Sequence, residues 1–239
     1  MADCTVIIPT WKRAKNFNDL LASIKMQTVA TEIHVWDNGA TTDNPVAADP
    51  RIDLLMRCPR NWGSWVRFPA MAFVRTPYAW QMDDDLLFSN ADVLDRYIAE
   101  SKSFGDAWVI SAGGRKLGAP PKAYQSGVGA QPGPATMVNT GFTLFPMGIV
   151  QKIPLNPIYC NKPISDAMLL NCDDPWVSAF LPTRVTAIPL DGNQWHGIVR
   201  GDECGLGVSH MTGAMSRRDE ICEQYLRDKE ARMAAGANE

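Results

Sequence analysis

Apolar residues along the chain follow two alternating patterns, one typical of buried strands and the other of amphipathic helices. Residues 4–9 are a run of mostly β-branched side chains closed by a proline, which predicts a strand buried on both faces of a parallel sheet. The spacing then changes to i, i+3, i+4 and i+7, which predicts a helix. The residues on this helical stripe are Phe17, Leu20, Leu21 and Ile24. A second strand is predicted at 32–36, so the first elements form a right-handed βαβ unit.

The alternation continues through the first half of the chain. Strands are predicted at 51–56, 78–82 and 108–112, and helices at 61–74 and 90–102. Strands that alternate with helices are typical of a mostly parallel sheet covered by helices on both faces. The predicted fold class is therefore α/β, with a mostly parallel central sheet flanked by helices.

The composition changes abruptly between residues 113 and 134. This stretch holds ten glycines and prolines in 22 residues. So many residues without a large side chain cannot supply a core, and the segment is predicted to be a long mobile loop. Active-site lids are often drawn from such segments, so 113–134 is a candidate lid.

Regular patterns return after this loop. Strands are predicted at 137–145 and 184–189, and between them a helix is predicted to begin with Asp174 as its N-cap. Ser216 and Asp219 form a variant of the capping box, which predicts a terminal helix that begins at that serine. The second half therefore adds both strands and helices to the predicted fold.

Charge and hydropathy exclude several classes of partner. The net charge is −3, so the chain has no general positive field for a polyanion, and nucleic acid is not an expected partner. No run of 18 apolar residues occurs, and residues 1–10 lack the basic start of a signal peptide, so neither a membrane span nor export is expected. The expected location is cytoplasmic. Six scattered cysteines lack the spacing of a zinc site.

Polar residues collect where the predicted strands end. In open parallel sheets, ligands bind beyond the carboxyl ends of the strands. The residues at these ends are Thr10, Arg13, Asp37, Asn38, Asp83, Asp84 and Asp85. Three consecutive carboxylates repel one another, so a bound cation is expected, and oxygen ligands favour Mn²⁺ or Mg²⁺. The alternative is that the acidic triplet is only a solvated turn or a helix cap.

Five short motifs follow one another in an order that resembles a known family. They are residues 6–13, residues 35–38, Asn61 with Gly63 and Arg67, residues 83–85, and residues 171–174. Together they resemble nucleotide-sugar glycosyltransferases of the GT-A fold, broadly those of family 2 and more closely the exostosin-like transferases of family 64. The likeness covers about residues 4–225. It implies a single domain over 1–239, with a nucleotide-binding half at 1–112 and an acceptor and catalytic half at 135–239.

The resemblance implies a role for each strand-end residue. Thr10 and Arg13 correspond to positions that hold the base and phosphate of the donor, and Asn38, next to Asp37, to a contact with the uracil or ribose. Asn61 and Arg67 match a segment that closes over the uridine and diphosphate, although the family has more basic residues there. In the triplet 83–85, Asp85 would bind the metal that bridges the diphosphate. Asp83 would face the ribose or donor sugar and hold the metal together with Asp85, and Asp84 lies between them.

The resemblance also assigns residues to the reacting centre. Asp174, with Asp173 beside it, would act at the acceptor hydroxyl or the anomeric carbon, while a helix cap remains the structural alternative for Asp174. Arg218, or its neighbour Arg217, would lie near the diphosphate, and of the two Arg218 is preferred. His196 and His210 lie where GT-A enzymes place a further metal ligand, although each is also compatible with a loop histidine that binds nothing. Family positions further imply that Cys172 and Cys222 are neighbours, bridged in an oxidising environment.

The activity expected from this resemblance is metal-dependent transfer of a sugar from a nucleoside diphosphate donor, a UDP-sugar above all, to a hydroxyl of a glycan acceptor. The exostosin-like likeness implies a retaining hexosyl or N-acetylhexosaminyl transferase, whereas family 2 implies inversion. Two other functions stay open, a nucleotidyltransferase and an inactive, carbohydrate-binding transferase-like domain. The family also leaves open that the chain is a lumenal catalytic domain excised from a longer protein.

Overall fold

The computed structural model describes residues 2–13, 17–40, 45–88, 90–150, 173–186 and 214–234. The strands in these ranges are β1 (Cys4–Thr10), β2 (Thr31–Asp37), β3 (Leu54–Arg57), β4 (Tyr78–Met82), β5 (Val109–Ser111), β6 (Gly114–Lys116), β7 (Val128–Gly129), β8 (Gly133–Pro134), β9 (Met137–Val138), β10 (Phe142–Pro146) and β11 (Thr183–Val185). The α-helices are α1 (Phe17–Lys25), α2 (Arg67–Ala70), α3 (Val93–Ser103), α4 (Met147–Val150), α5 (Asp173–Phe180) and α6 (Ala214–Ala234). Two 3₁₀ turns, Ser64–Val66 and Met71–Phe73, flank α2.

Eight of these strands form one central sheet in the order β3-β2-β1-β4-β10-β5-β11-β8. The strands β1 to β5 and β11 run in one direction, whereas β10 and β8 run against their neighbours. The predicted α/β class with a mostly parallel sheet is therefore confirmed. Because β10 is antiparallel to β4, its first residue, Phe142, pairs with the last residue of β4, Met82. The start of β10 thus lies at the same edge of the sheet as the end of β4.

Buried apolar side chains cover both faces of this sheet. One cluster joins residues of β1 and β4 to α1 and α3, and Trp80 is fully buried at its centre against Tyr97 and Phe142. A second cluster joins the opposite face to α2, α4 and α5. Burial of side chains this large supplies most of the driving force for the fold.

The segment 113–134 differs from the structureless loop that its composition predicts. Its strands β6 and β7 pair with each other, β6 also pairs with β9, and β8 joins the edge of the central sheet. Backbone hydrogen bonds between these short strands order the segment. Ala123 and Tyr124 within the segment are buried. Whether the segment moves when a ligand binds remains a prediction.

Three local predictions need correction. The stretch 61–74 is not one helix, because Gly63 adopts φ 67 and the helical turns begin only at Ser64. The predicted strand 137–145 is two strands, β9 and β10, which belong to different sheets. The terminal helix begins at Ala214, so Ser216 is not its cap, and the side chain of Asp219 binds a neighbouring segment instead.

No helix within the described ranges is both long enough and apolar enough to cross a membrane.

Candidate functional site

A pocket of about 320 Å³ opens among the described residues at the carboxyl ends of β1 and β4. Its wall includes eleven of the twelve candidate residues predicted from the sequence, namely Thr10, Arg13, Asn38, Asn61, Arg67, Asp83, Asp84, Asp85, Asp173, Asp174 and Arg218. The central sheet explains this convergence, because β1, β2 and β4 are parallel neighbours whose ends meet at one edge. Residues separated by as many as 208 positions in sequence thus share one pocket.

Arg13 neutralises two of the three consecutive aspartates. Its Nη1 donates to Asp84 Oδ1 at 3.0 Å and to Asp85 Oδ2 at 2.9 Å. Asp84 is buried and also accepts from the Thr10 hydroxyl at 2.6 Å, so its carboxylate joins the ends of β1 and β4. Asp85 is more open, with its side chain 31% exposed. Asp84 therefore links the two strand ends, whereas the more exposed carboxylate of Asp85 is available to a ligand.

Arg67 joins the first acidic group to the second. Its buried guanidinium donates from Nη2 to Asp83 Oδ1 at 2.5 Å, and its Nε lies 3.6 Å from Asp173 Oδ2. The same Nε donates to the carbonyl of Ser64 at 3.1 Å. Burial alone would lower the pKa of Arg67, but the charges of Asp83 and Asp173 raise it above its ordinary value. Arg67 is thus a permanent cation between the two acidic groups.

Asp173 and Asp174 lie in the first turn of α5, where negative charge is favourable. Thr140 bridges them. Its hydroxyl lies 2.6 Å from Asp173 Oδ2 and 2.7 Å from Asp174 Oδ1, and its backbone N–H donates to the same Asp174 oxygen at 2.7 Å. The helix begins at Asp173, one residue before the predicted cap, so the Asp174 side chain binds across to the loop before β10.

Three of these carboxyl groups have raised pKa values, and burial is the largest cause for Asp84. Burial, together with the negative charges of Asp83 and Asp84, raises the pKa of Asp85 to about 7. Burial and the charge of Asp173 raise the pKa of Asp174 to about 7. In both Asp85 and Asp174 the ionised form is therefore disfavoured, and a bound cation would stabilise that form.

Asn38 shapes the opposite wall of the pocket. Its Nδ2 donates to the carbonyl of Gly63 at 3.0 Å, and its Oδ1 accepts from the N–H of Trp62 at 3.3 Å. Asn61 Oδ1 accepts from the N–H of Gly63 at 2.8 Å and closes the turn. These bonds fix the conformation of residues 61–63 next to the end of β2.

Asp37 is the one candidate that does not line the pocket. Its carboxylate is buried and accepts from the N–H groups of Gly39 and Val46, both at 2.9 Å. The guanidinium of Arg57 lies 3.5 Å from it. The contacts of Asp37 thus order the chain after β2 rather than face a ligand.

Arg218 reaches the pocket from α6 and is held by Tyr124. Its Nη1 donates to the Tyr124 hydroxyl at 2.9 Å. Asp219, next along the helix, accepts from the N–H groups of Tyr124 and Gln125, both at 2.9 Å. Helix α6 thereby anchors the glycine-rich segment beside the pocket. Sequence reasoning missed Tyr124, because no local pattern marks a contact between residues 95 positions apart.

The loop before β10 was also missed. Asn139, Thr140 and Gly141 all line the pocket, and their only signal is a short polar run directly before an apolar strand. Gly141 lies so close to Asp83 that a Cβ there would be 2.6 Å from its Cγ. The absent side chain is therefore what lets the Asp83 carboxylate lie against this loop.

Other predictions fall partly or wholly outside the described ranges. Cys222 is a buried thiol, but Cys172 lies outside the described residues, so their pairing stays a prediction. His196 and His210 also lie outside them. In the part of the chain that is described, no three His, Cys, Asp or Glu side chains are grouped so that they could hold a metal ion. Asp83 and Asp85 present carboxylate oxygens to this pocket, and their side chains are 41% and 31% exposed.

Comparison with solved structures shows similarity to glycosyltransferases. The crystal structure of S. aureus TarS 1–349 in complex with UDP matches with a TM-score of 0.52 and 14% identity, over 97% of this chain and 73% of that one. TarS 1–349 in another crystal structure gives a TM-score of 0.50, with the same identity and coverage. The mannosyltransferase PcManGT from Pyrobaculum calidifontis, in complex with GDP-Man and Mn²⁺, gives 0.51 and 14% identity over 99% of this chain and 75% of that one.

At this level of identity the likeness establishes the fold alone, a GT-A-like glycosyltransferase fold. No protein-family model matches the chain, and no curated protein matches it.

Proposed function

We propose that this chain is a glycosyltransferase that moves a sugar from a nucleoside diphosphate donor to a hydroxyl acceptor. One observation carries the proposal: a single pocket brings the acidic triplet 83–85 together with the pair Asp173–Asp174, across one buried arginine. A binding domain needs no second carboxylate pair beside the first. A transferase does, because it must both hold a diphosphate and act on the reacting hydroxyl.

The donor would lie along the carboxyl ends of β1, β2 and β4. Thr10, Arg13, Asn38 and Asn61 line this part of the pocket. Arg13 and Arg218 supply positive charge for the diphosphate, and arginine suits phosphate because its guanidinium donates two parallel hydrogen bonds. The TarS complex with UDP and the mannosyltransferase complex with GDP-Man support a nucleotide-sugar donor of this class. Among such donors we propose a UDP-sugar.

A divalent cation fits the outer part of the acidic triplet. Asp83 and Asp85 present carboxylate oxygens with 41% and 31% of their side chains exposed, and such oxygens are the ligands that Mn²⁺ and Mg²⁺ prefer. Burial and the negative charges of Asp83 and Asp84 raise the pKa of Asp85, and a bound cation would stabilise its ionised form. When bound, the ion would stabilise charge that develops on the diphosphate leaving group. Asp84 is already bound to Thr10 and is not needed as a ligand.

Asp174 is the group proposed to act at the reacting centre. It lines the same pocket as Arg13, and its pKa of about 7 suits a residue that takes up a proton near neutral pH. Asp173 beside it is paired with Arg67 and remains the second carboxylate of the centre. In an inverting reaction Asp174 would take the proton of the acceptor hydroxyl, and in a retaining one it would face the anomeric carbon. The motif order shared with exostosin-like transferases supports retention and a hexosyl or N-acetylhexosaminyl donor.

Thermal unfolding in the presence of nucleotides tests the proposal. UDP, GDP, CDP and TDP are each added with and without Mn²⁺, and we expect UDP with Mn²⁺ to raise the melting temperature most. At a hundredfold excess over Kd, a bound ligand stabilises a protein by about 2.7 kcal/mol. The absence of stabilisation by all four nucleotides, with or without the metal, would contradict the proposal. With an active donor and acceptor pair, proton NMR of the anomeric product decides between retention and inversion.

A further inference from the structure

The hydroxyl of Thr140 contacts both carboxyl groups of the second acidic pair. Its Oγ1 lies 2.6 Å from Asp173 Oδ2 and 2.7 Å from Asp174 Oδ1. Arg67 Nη1 donates to Thr140 Oγ1 at 3.5 Å. Thr140 itself is 0% exposed, so water does not substitute for these partners. One buried hydroxyl thus lies at the centre of two carboxyl groups and a cation.

The number of protons around this hydroxyl is limited. A threonine hydroxyl has one proton to donate and two lone pairs that accept, so it can donate to only one carboxylate at a time. The second carboxyl oxygen, at a distance of less than 2.8 Å, forms a hydrogen bond only if it carries a proton of its own. With Arg67 as a further donor, the hydroxyl then makes one bond as donor and two as acceptor. All three hydrogen bonds of the hydroxyl form when the pair Asp173–Asp174 holds one proton between its two carboxyl groups.

The same residue also orients Asp174. The Thr140 hydroxyl and backbone N–H both bind Asp174 Oδ1, at 2.7 Å each. Among the described residues, every hydrogen bond to this carboxyl group ends on Oδ1. Two bonds to one oxygen fix the carboxyl group and leave Oδ2 as the oxygen for a substrate.

We propose that Thr140 is a positioning residue that couples Asp173 and Asp174 into a pair sharing one proton and directs Asp174 Oδ2 towards the acceptor. The direction of Oδ2 rests on the proposed transferase function. The sharing of a proton does not rest on that function, because it is a property of the chain without a ligand. Thr140 acts through Asp174 and is not itself a catalytic residue.

The groups that face Asp174 determine the sign of the expected change. Burial and the charge of Asp173 on α5 raise the pKa of Asp174, whereas the backbone N–H of Thr140 and the charge of Arg218 on α6 lower it. Arg67 on α2 is a further cation close to the pair, and the Cys222 thiol on α6 also faces it, with its own pKa raised by burial to about 12. The Thr140 hydroxyl makes one more hydrogen bond when the pair holds one proton than when both groups are ionised, so its loss should lower the pKa of Asp174.

Carbon-13 NMR of aspartate side chains measures this directly on the full chain without nucleotide. Chain labelled at the aspartate carboxyl carbon is titrated from pH 4 to pH 9, and the signals are assigned with Asp173→Asn and Asp174→Asn. We expect Asp174 to titrate near pH 7. Thr140→Val should move that titration down by about 0.5 to 1 pH unit, whereas Thr140→Ser, which keeps the hydroxyl, should leave it in place. An Asp174 titration in Thr140→Val that is the same as in the parent, or higher, would overturn the proposal.

Asp173→Asn provides a second test that leaves Thr140 in place and applies even if Thr140→Val does not fold. Removal of the neighbouring charge should lower the Asp174 titration by about 1 pH unit or more. Independent titration of the two groups, each near pH 4, would also overturn the proposal. Failure of the transferase function is seen separately, as absence of UDP and GDP binding. In that case the shared proton stands and only the role of Oδ2 is lost.

Discussion

Arg67 and Asp83 form an ion pair of 2.5 Å between a fully buried guanidinium and a carboxylate that is 41% exposed. The arginine side chain is only 2% exposed, so the protein carries a buried positive charge at the centre of its pocket. A charge of this kind is tolerated only where negative partners surround it. The guanidinium of Arg67 thus offsets the negative charge of both acidic groups where they meet.

Replacement of Arg67 should therefore destabilise the fold. In Arg67→Met the negative charges of Asp83 and Asp173 lose their shared cation, and we expect the free energy of unfolding to fall by about 3 kcal/mol. Arg67→Lys should recover little, because one ammonium cannot reproduce the contacts of Nε and Nη2. Urea denaturation measures both. Arg227→Met is the control, since Arg227 is 57% exposed and its i, i+4 ion pair with Glu223 should contribute less than about 1 kcal/mol.

Gly141 should be required for the position of Asp83. In Gly141→Ala the new Cβ would lie within 2.6 Å of Asp83 Cγ, so the carboxylate must move away from the loop. We expect Mn²⁺-dependent stabilisation by UDP to fall while the chain still folds. Gly148→Ala is a matched control in α4, where a Cβ meets no atom within 4 Å. Equal stabilisation by UDP and Mn²⁺ in the two variants would show that Asp83 does not need its present position.

Asp174→Asn should separate binding from chemistry. The asparagine oxygen can still accept from the Thr140 N–H, so the fold should survive. UDP and Mn²⁺ should bind as in the parent, and sugar transfer should slow at least about a hundredfold, as is typical when a positioned acid–base group is lost. The measurements are UDP affinity by calorimetry and turnover with an active donor. Near-parental turnover would assign Asp174 a structural role and move the chemistry to Asp173 or another group.

The glycine-rich segment 113–134 should owe its order near the pocket to Asp219. Hydrogen exchange in the parent should be slow at Tyr124 and Gln125, whose N–H groups bind that carboxylate. Asp219→Ala should speed exchange there by tenfold or more, because both bonds are lost. A donor should slow exchange across 113–134 if the segment closes as a lid. Equal exchange with and without donor would argue against closure.

The strand ends were predictable from the sequence, because runs such as 4–9 and 78–82 have the apolar pattern of buried parallel strands. Their order explains why Thr10 and Asp84 meet. The contacts of Thr140 and Tyr124 were not predictable, because each joins elements far apart in the chain without a local signature. Asp37 was predicted as a site residue because it is polar and ends a strand. Its carboxylate instead binds backbone N–H groups of the chain that follows β2.

The antiparallel strand β10 was hidden for a related reason. A run of apolar residues indicates a buried strand but not its direction, which depends on the pairing partner. Because β10 inserts next to β4, the polar run 139–141 is brought to the edge where the acidic triplet lies. The missed part of the site thus follows from sheet topology rather than from residue type.

The account depends most on metal-assisted binding of a nucleoside diphosphate by the acidic triplet. Calorimetric titration of UDP into the parent and into Asp85→Ala, each with and without Mn²⁺, measures it. Asp95→Ala, which removes an exposed charge on α3, is the control. We predict that Mn²⁺ tightens UDP binding at least about tenfold in the parent and the control, a gain of about 1.4 kcal/mol, and has little effect in Asp85→Ala. The same gain in Asp85→Ala, or no UDP binding by the parent, would contradict the account.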